Sequence, residues 1–171
     1  MKVTTPKLIR WAGLSAVVAG IIFTAIQPTH PSINTSTFII ITSFKTSISI
    51  FGLLGITGLY ARQVEETGWQ GLVGYLLLTI YYAVQMCISF IEPTVLPLLT
   101  TVAPKFVASA LQLSSGVGSP TNLGSLTTIY SLASILYVLG SLLFGLAMFR
   151  ARILPRGAAA LFAVSGPLAG T

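Results

Sequence analysis

The sequence predicts an all-α fold: a polytopic transmembrane helix bundle of about five spans, with a short outer amphipathic helix between spans three and four. Three observations carry that expectation. Of 171 residues, 54% are hydrophobic and only 7% are charged, where soluble domains average about 25% charged. Apolar runs recur along the whole chain, most of them near the ~20 residues that cross a hydrocarbon core ~30 Å thick. The basic residues stand at the ends of those runs. Nine Lys and Arg with three Glu, and no Asp, cannot clothe a soluble surface, whereas a lipid-facing surface needs no such cover. The net charge of +6 therefore reads as a set of topology signals, with no basic, aromatic-interleaved patch for nucleic acid.

A single transmembrane domain over residues 1–171 is expected, with spans at 8–26, 37–61, 69–91, 123–149 and 157–171. The opening "MKVTTPKLIRWAGLSAVVAGIIFTAIQPTH" has the basic start and apolar middle of a signal peptide but no convincing small-x-small cleavage site, so an uncleaved first span is preferred. The fifth run is short and stops at "SGPLAGT", which reads as a partial span or one cut off near its far end. Lys2, Lys7 and Arg10 precede span one, Arg62 follows span two, and Arg150, Arg152 and Arg156 separate spans four and five. Basic residues in short loops stay in the cytoplasm. A plasma-membrane protein with a cytoplasmic N-terminus is expected, with 27–36 and 92–122 outside.

The outer stretch 92–122 holds Pro93, Pro97 and Pro104, then "PKFVASALQL", then "SSGVGSP". Pro93 is expected to end span three. Phe106, Val107, Ala110, Leu111 and Leu113 fall at near-helical spacing, predicting a short helix that either lies on the outer membrane surface or packs as an ordered loop. "LLGITGLYARQ" (53–63) and "LLFGLAMFRAR" (142–152) share glycines, an aromatic residue and a terminal Arg. They read either as a parallel duplication of two hairpins or as coincidence imposed by topology. Ala16 and Gly20, Gly52, Gly55 and Gly58, and Gly71 and Gly74 are spaced for close helix packing, within one chain or between copies. The oligomeric state stays open.

The stretch "GLAMFRARILPRGAAALF" resembles the cytoplasmic hairpin of a broad group of bacterial multi-pass membrane proteins in domain-of-unknown-function families, and the resemblance covers spans two to five. Such proteins commonly have six or more spans, which implies a chain continuing past Thr171. The resemblance implies no activity and assigns no functional residue.

The missing residue types prune chemistry. His30 is the only histidine and Cys87 the only cysteine. No intramolecular disulfide, haem ligand pair or multi-cysteine metal site follows from them. A Ser-His-acid triad would have to recruit His30 and Glu92 without a nucleophile motif, so His30 reads as a solvated loop residue. "GVG" at 116–118 follows no strand and is not a phosphate loop. No enzyme activity, metal or cofactor is expected.

Polar residues inside the spans are the informative ones, because lipid offers them no partner. Lys45 lies eight residues beyond Thr37, Gln85 seven before Glu92 and Ser131 eight beyond Leu123, which places all three about 10–12 Å below the outer ends of their spans. Tyr81, Gln85 and Glu92, with Tyr130, Ser131 and Ser134, share helix faces at three- and four-residue spacing. Turned toward Lys45 they form an outward-facing polar cavity in which Lys45 donates to Gln85 and Glu92 stands at the mouth. The competing readings are plain helix packing for the Ser and Thr stripes, and for Lys45 either snorkelling or a structural pair. The leading expectation is a non-catalytic membrane protein binding a small or amphiphilic ligand, its partners being the bilayer and that ligand. Two alternatives are a transporter or channel component using Lys45 and Glu92, and a structural or regulatory subunit without ligand.

Overall fold

The computed structural model describes residues 4–26, 32–33, 35–116, 118 and 122–169. These form α1 (Thr5–Ile26), α2 (Ser36–Thr94), α3 (Leu96–Leu99), α4 (Pro104–Ser114), α5 (Ser125–Ala151) and α6 (Arg156–Ala169), with no strand among the described residues. α1, α2 and α5 are long and apolar enough to cross a membrane. Their hydroxyls do not break them, because each bonds back to its own helix: Thr42 to the Phe38 carbonyl at 2.6 Å, Thr57 to Leu53 at 2.8 Å, Thr79 to Tyr75 at 2.9 Å. Thr35 caps α2, its hydroxyl accepting from the Phe38 N–H at 3.2 Å.

α2 is two limbs joined by a tight reversal. Gln63 leaves helical geometry (φ −137°, ψ 22°), and Gly68 takes φ 56°, ψ −156°, a conformation only glycine adopts without strain. The limbs 36–62 and 69–94 run antiparallel. Gly52 faces the Tyr82 ring, the Thr57 and Tyr75 hydroxyls lie 3.4 Å apart, and Tyr60 stacks on Tyr75 at 4.6 Å and 7°. The helices expected at 37–61 and 69–91 are these limbs. The second extends past Ile91 to Thr94 with Pro93 in its last turn, and the Val95 N–H still reaches the Ile91 carbonyl.

Small residues set the neighbours. Gly55 and Gly58 pack on Ala16 and Ala12 of α1, Gly74 on the Phe144 backbone of α5, Gly140 of α5 on Leu78, and Gly145 on Ala163 of α6. Each pairing is antiparallel. The helices therefore stand in the order α1, first limb, second limb, α5, α6, with α1 packed on α2 and α6 on α5. Gly20, expected to pack closely, has no neighbour within reach of an added methyl group. The core of Ile56, Leu78, Phe144, Met148 and Ala159 lies toward one end. Arg150 donates to the Gln70 side chain there at 2.8 Å, and Arg156 stands over Phe149 at 5.7 Å. By the same antiparallel register Lys7, Arg10, Arg62 and Arg152 belong to this basic end.

At the opposite end α3 and α4 follow the second limb. The helix expected at 104–113 is α4, with Pro104 in its first turn; Val107, Ser109 and Ala110 are buried and Lys105 and Phe106 exposed. The expected fifth helix is α6, of 14 residues with Pro167 inside it. His30 and most of 27–36, Val117 within "GVG", and residues 170–171 lie outside the described residues.

Gln63 is wholly buried beside the reversal, and neither its amide nitrogen nor its amide oxygen has a hydrogen-bond partner. A buried amide without partners costs about 1–3 kcal/mol. Gln63→Leu should raise the thermal unfolding midpoint of the detergent-solubilised protein. Gly74→Leu should lower it by the equivalent of about 1–3 kcal/mol or more, since a Cβ at Gly74 would stand 2.5 Å from the Phe144 backbone nitrogen.

Candidate functional site

The first limb turns Thr42, Lys45, Ser49 and Gly52 toward the second, and Thr42 and Ser49 are buried. The hairpin register that sets Gly52 against Tyr82 carries Lys45 to the level of Glu92. There the Lys45 Nζ donates to Glu92 Oε2 at 2.8 Å, the only ion pair among the described residues. The two partners differ in access: the Lys45 side chain is 39% exposed and that of Glu92 7%. Lys45 thus pairs with Glu92 and does not snorkel away from the bundle. Taking two ions from water costs several kcal/mol each, and their attraction offsets this only with good geometry.

The other sequence-predicted residues divide into two groups. Tyr130 of α5 lies within electrostatic reach of Glu92 and so borders the pair, without a hydrogen bond to it. Gln85 does not: its Nε2 donates to Ser89 Oγ of the same limb at 3.3 Å. The expectation that Lys45, Gln85 and Ser131 share one level is corrected accordingly. The second limb passes Ile91, and the register sets Glu92 across from Lys45, so Gln85 stands seven residues, about 10 Å, nearer the core. Ser131 is exposed and returns its hydroxyl to the Thr127 carbonyl at 3.0 Å, and Ser134 is likewise exposed. Neither makes a hydrogen bond to the pair; Gly166 of α6 packs farther along α5, on Val138 and Ser141.

Tyr81 supports the site from below. Its ring lies 4.6 Å from Tyr137 of α5 and 5.2 Å from Tyr82. Tyr82 and Tyr137 in turn pack on the apolar core. The three rings form a floor between the charged pair and the dry half. Below that floor Leu78 and Phe144 are inaccessible, whereas above it α5 buries only Ala133 among 125–139. α5 is therefore closely packed at the basic end and largely exposed at the ion-pair end, where the buried apolar residues include Phe38, Ile88, Leu96 and Val107 of the other helices. Tyr82 and Gln63 are residues that sequence reasoning left unassigned. Tyr82 adjoins Tyr81, but its role depends on facing Gly52, and Gln63 looks like an ordinary polar loop residue after Arg62.

Among the described residues no three His, Cys, Asp or Glu side chains come together to hold a metal, and Cys87 is a free, exposed thiol. Fold and site define an all-helical chain with three helices fit by length and composition to cross a membrane, carrying one partly open charged pair. No family model, curated protein or solved structure matches it.

Removing one partner of a buried pair leaves the other charge stranded, while removing both does not. Lys45→Met strands the buried Glu92 and should cost about 3 kcal/mol or more of unfolding free energy. Glu92→Gln leaves a lysine that still reaches the surface, and should cost less. The double variant should be more stable than Lys45→Met alone; three thermal melts against wild type check the order.

Proposed function

We propose that the chain is a non-catalytic integral membrane protein of five spans in a bacterial-type plasma membrane, with its N-terminus in the cytoplasm. Its outward end binds a small or amphiphilic ligand. The orientation is supported by the basic end, because Lys7, Arg10, Arg62, Arg150, Arg152 and Arg156 belong to one end of the bundle and short basic segments are retained inside. On that orientation α3 and α4 cap the outer end. Leu98 and Val102, 75% and 81% exposed, then meet the outer leaflet or its headgroups.

One observation carries the ligand reading: the Lys45 side chain is 39% exposed while that of its counter-ion is 7% exposed. An ion pair closed on both sides gives up the hydration of both ions, and its attraction offsets that loss only with good geometry. This one is closed toward the protein and open on the lysine, where two donor positions remain beyond the bond to Glu92. The transporter alternative requires a polar route past Leu78 and Phe144, both fully buried in apolar contacts. A subunit without ligand requires only that the pair be structural.

Two measurements test these statements. In a Cys87→Ala background, cysteines at the exposed positions Ser115 and Glu66 should label differently in intact cells with an impermeant maleimide: Ser115→Cys should react and Glu66→Cys should not. Protein extracted in mild detergent should retain a bound small molecule or lipid in native mass spectra, and the Lys45→Met, Glu92→Gln double variant should lose it. Equal adduct patterns in the two proteins would remove the ligand reading and leave a structural pair.

A further inference from the structure

We propose that the ligand at Lys45 is a zwitterionic lipid headgroup, a phosphate carrying an ammonium, entered sideways from the outer leaflet. This rests on the ligand reading above. The argument is one of charge conservation in a medium that solvates charge poorly. Lys45 and Glu92 cancel, and the other charged side chain described at this end, Lys105 of α4, is exposed and makes no ion pair among the described residues. A simple anion bound at the ammonium would leave the site with a net negative charge in apolar surroundings, which is unfavourable. A zwitterion keeps the total at zero: its phosphate takes the free Lys45 donors, and its ammonium lies toward the Glu92 carboxylate.

The surroundings suit a lipid better than a water-soluble zwitterion. Phe44 beside Lys45, and Phe90 and Ile91 beside Glu92, are 44%, 60% and 48% exposed, so apolar surface adjoins both members of the pair. An acyl chain can lie along it while the headgroup sits at the pair. A small polar solute gains nothing from that surface. The Tyr81, Tyr82 and Tyr137 floor stops the headgroup from passing deeper.

The experiment uses delipidated full-length protein, returned to mixed micelles containing either phosphatidylethanolamine or phosphatidylglycerol of the same acyl chains, with retained lipid read by native mass spectrometry. Wild type should hold one phosphatidylethanolamine per chain, and phosphatidylglycerol about tenfold more weakly or worse. Lys45→Met with Glu92→Gln, which removes both charges together and avoids a stranded carboxylate, should lose the preference. Lys45→Arg, which keeps the cation, should retain it. Equal or tighter retention of phosphatidylglycerol, still dependent on Lys45, would overturn the zwitterion assignment and leave the ligand reading standing. Retention of neither lipid in a Lys45-dependent way would overturn the assignment, and a Lys45-dependent adduct in material never delipidated would show that the broader reading survives it.

Discussion

Helices in an apolar solvent gain little from burying apolar side chains against one another, so their association rests on close van der Waals contact. Here that contact is made at glycine. Gly55 and Gly58 hold α1, Gly74 and Gly140 join the second limb to α5, and Gly145 seats α6. Most of these contacts lie in the half of the molecule that carries the basic end, where Leu78 and Phe144 fill what remains. The opposite half has fewer: there Gly52 accepts the Tyr82 ring. The placement of small residues thus decides which half packs more closely.

The ion pair is intelligible against that division. The hairpin does not need it: Gly68 makes the reversal, and the Tyr60 and Tyr75 stack with the Gly52 and Tyr82 contact fixes the register. By the time the limbs reach Lys45 and Glu92 they are already aligned. A hydrophobic pair of similar volume would hold them as well or better, since burying two ions generally costs what their attraction returns. A charged pair at a place where geometry is already determined, with its cation partly exposed and its anion covered, is therefore not what sets the register of the hairpin.

Much of this was legible in the sequence, and what was not has a definable cause. The apolar runs located α1, both limbs of α2, and α5, and the small residues Ala16, Gly55, Gly58 and Gly74 marked true contacts, because backbone approach demands small side chains whatever the partner. Lys45 and Glu92 were found because a charge inside an apolar run is rare in itself. Their pairing, and the separation of Gln85 from them, depended on register, which is set by the Gln63 to Gly68 reversal and not by the distance from an apolar boundary. Ser131 and Ser134 failed for a related reason: period alone cannot say whether a face meets a neighbour, and both are exposed. The same limit hid Gln63, whose burial follows from the path of the chain on either side of it.

Polar side chains are treated unequally at the two ends. At the open end Lys45, Glu92, Gln85 and Ser89 all have partners, so the site is polar and satisfied without being closed. At the basic end the Gln63 amide is enclosed without a hydrogen-bond partner. From Tyr82 down to Gly71, about 16 Å along the limb, the inward-facing residues Leu78, Gly74 and Gly71 meet apolar or backbone atoms of the core and their own turn. A closely packed apolar layer therefore separates the charged pair from the basic end.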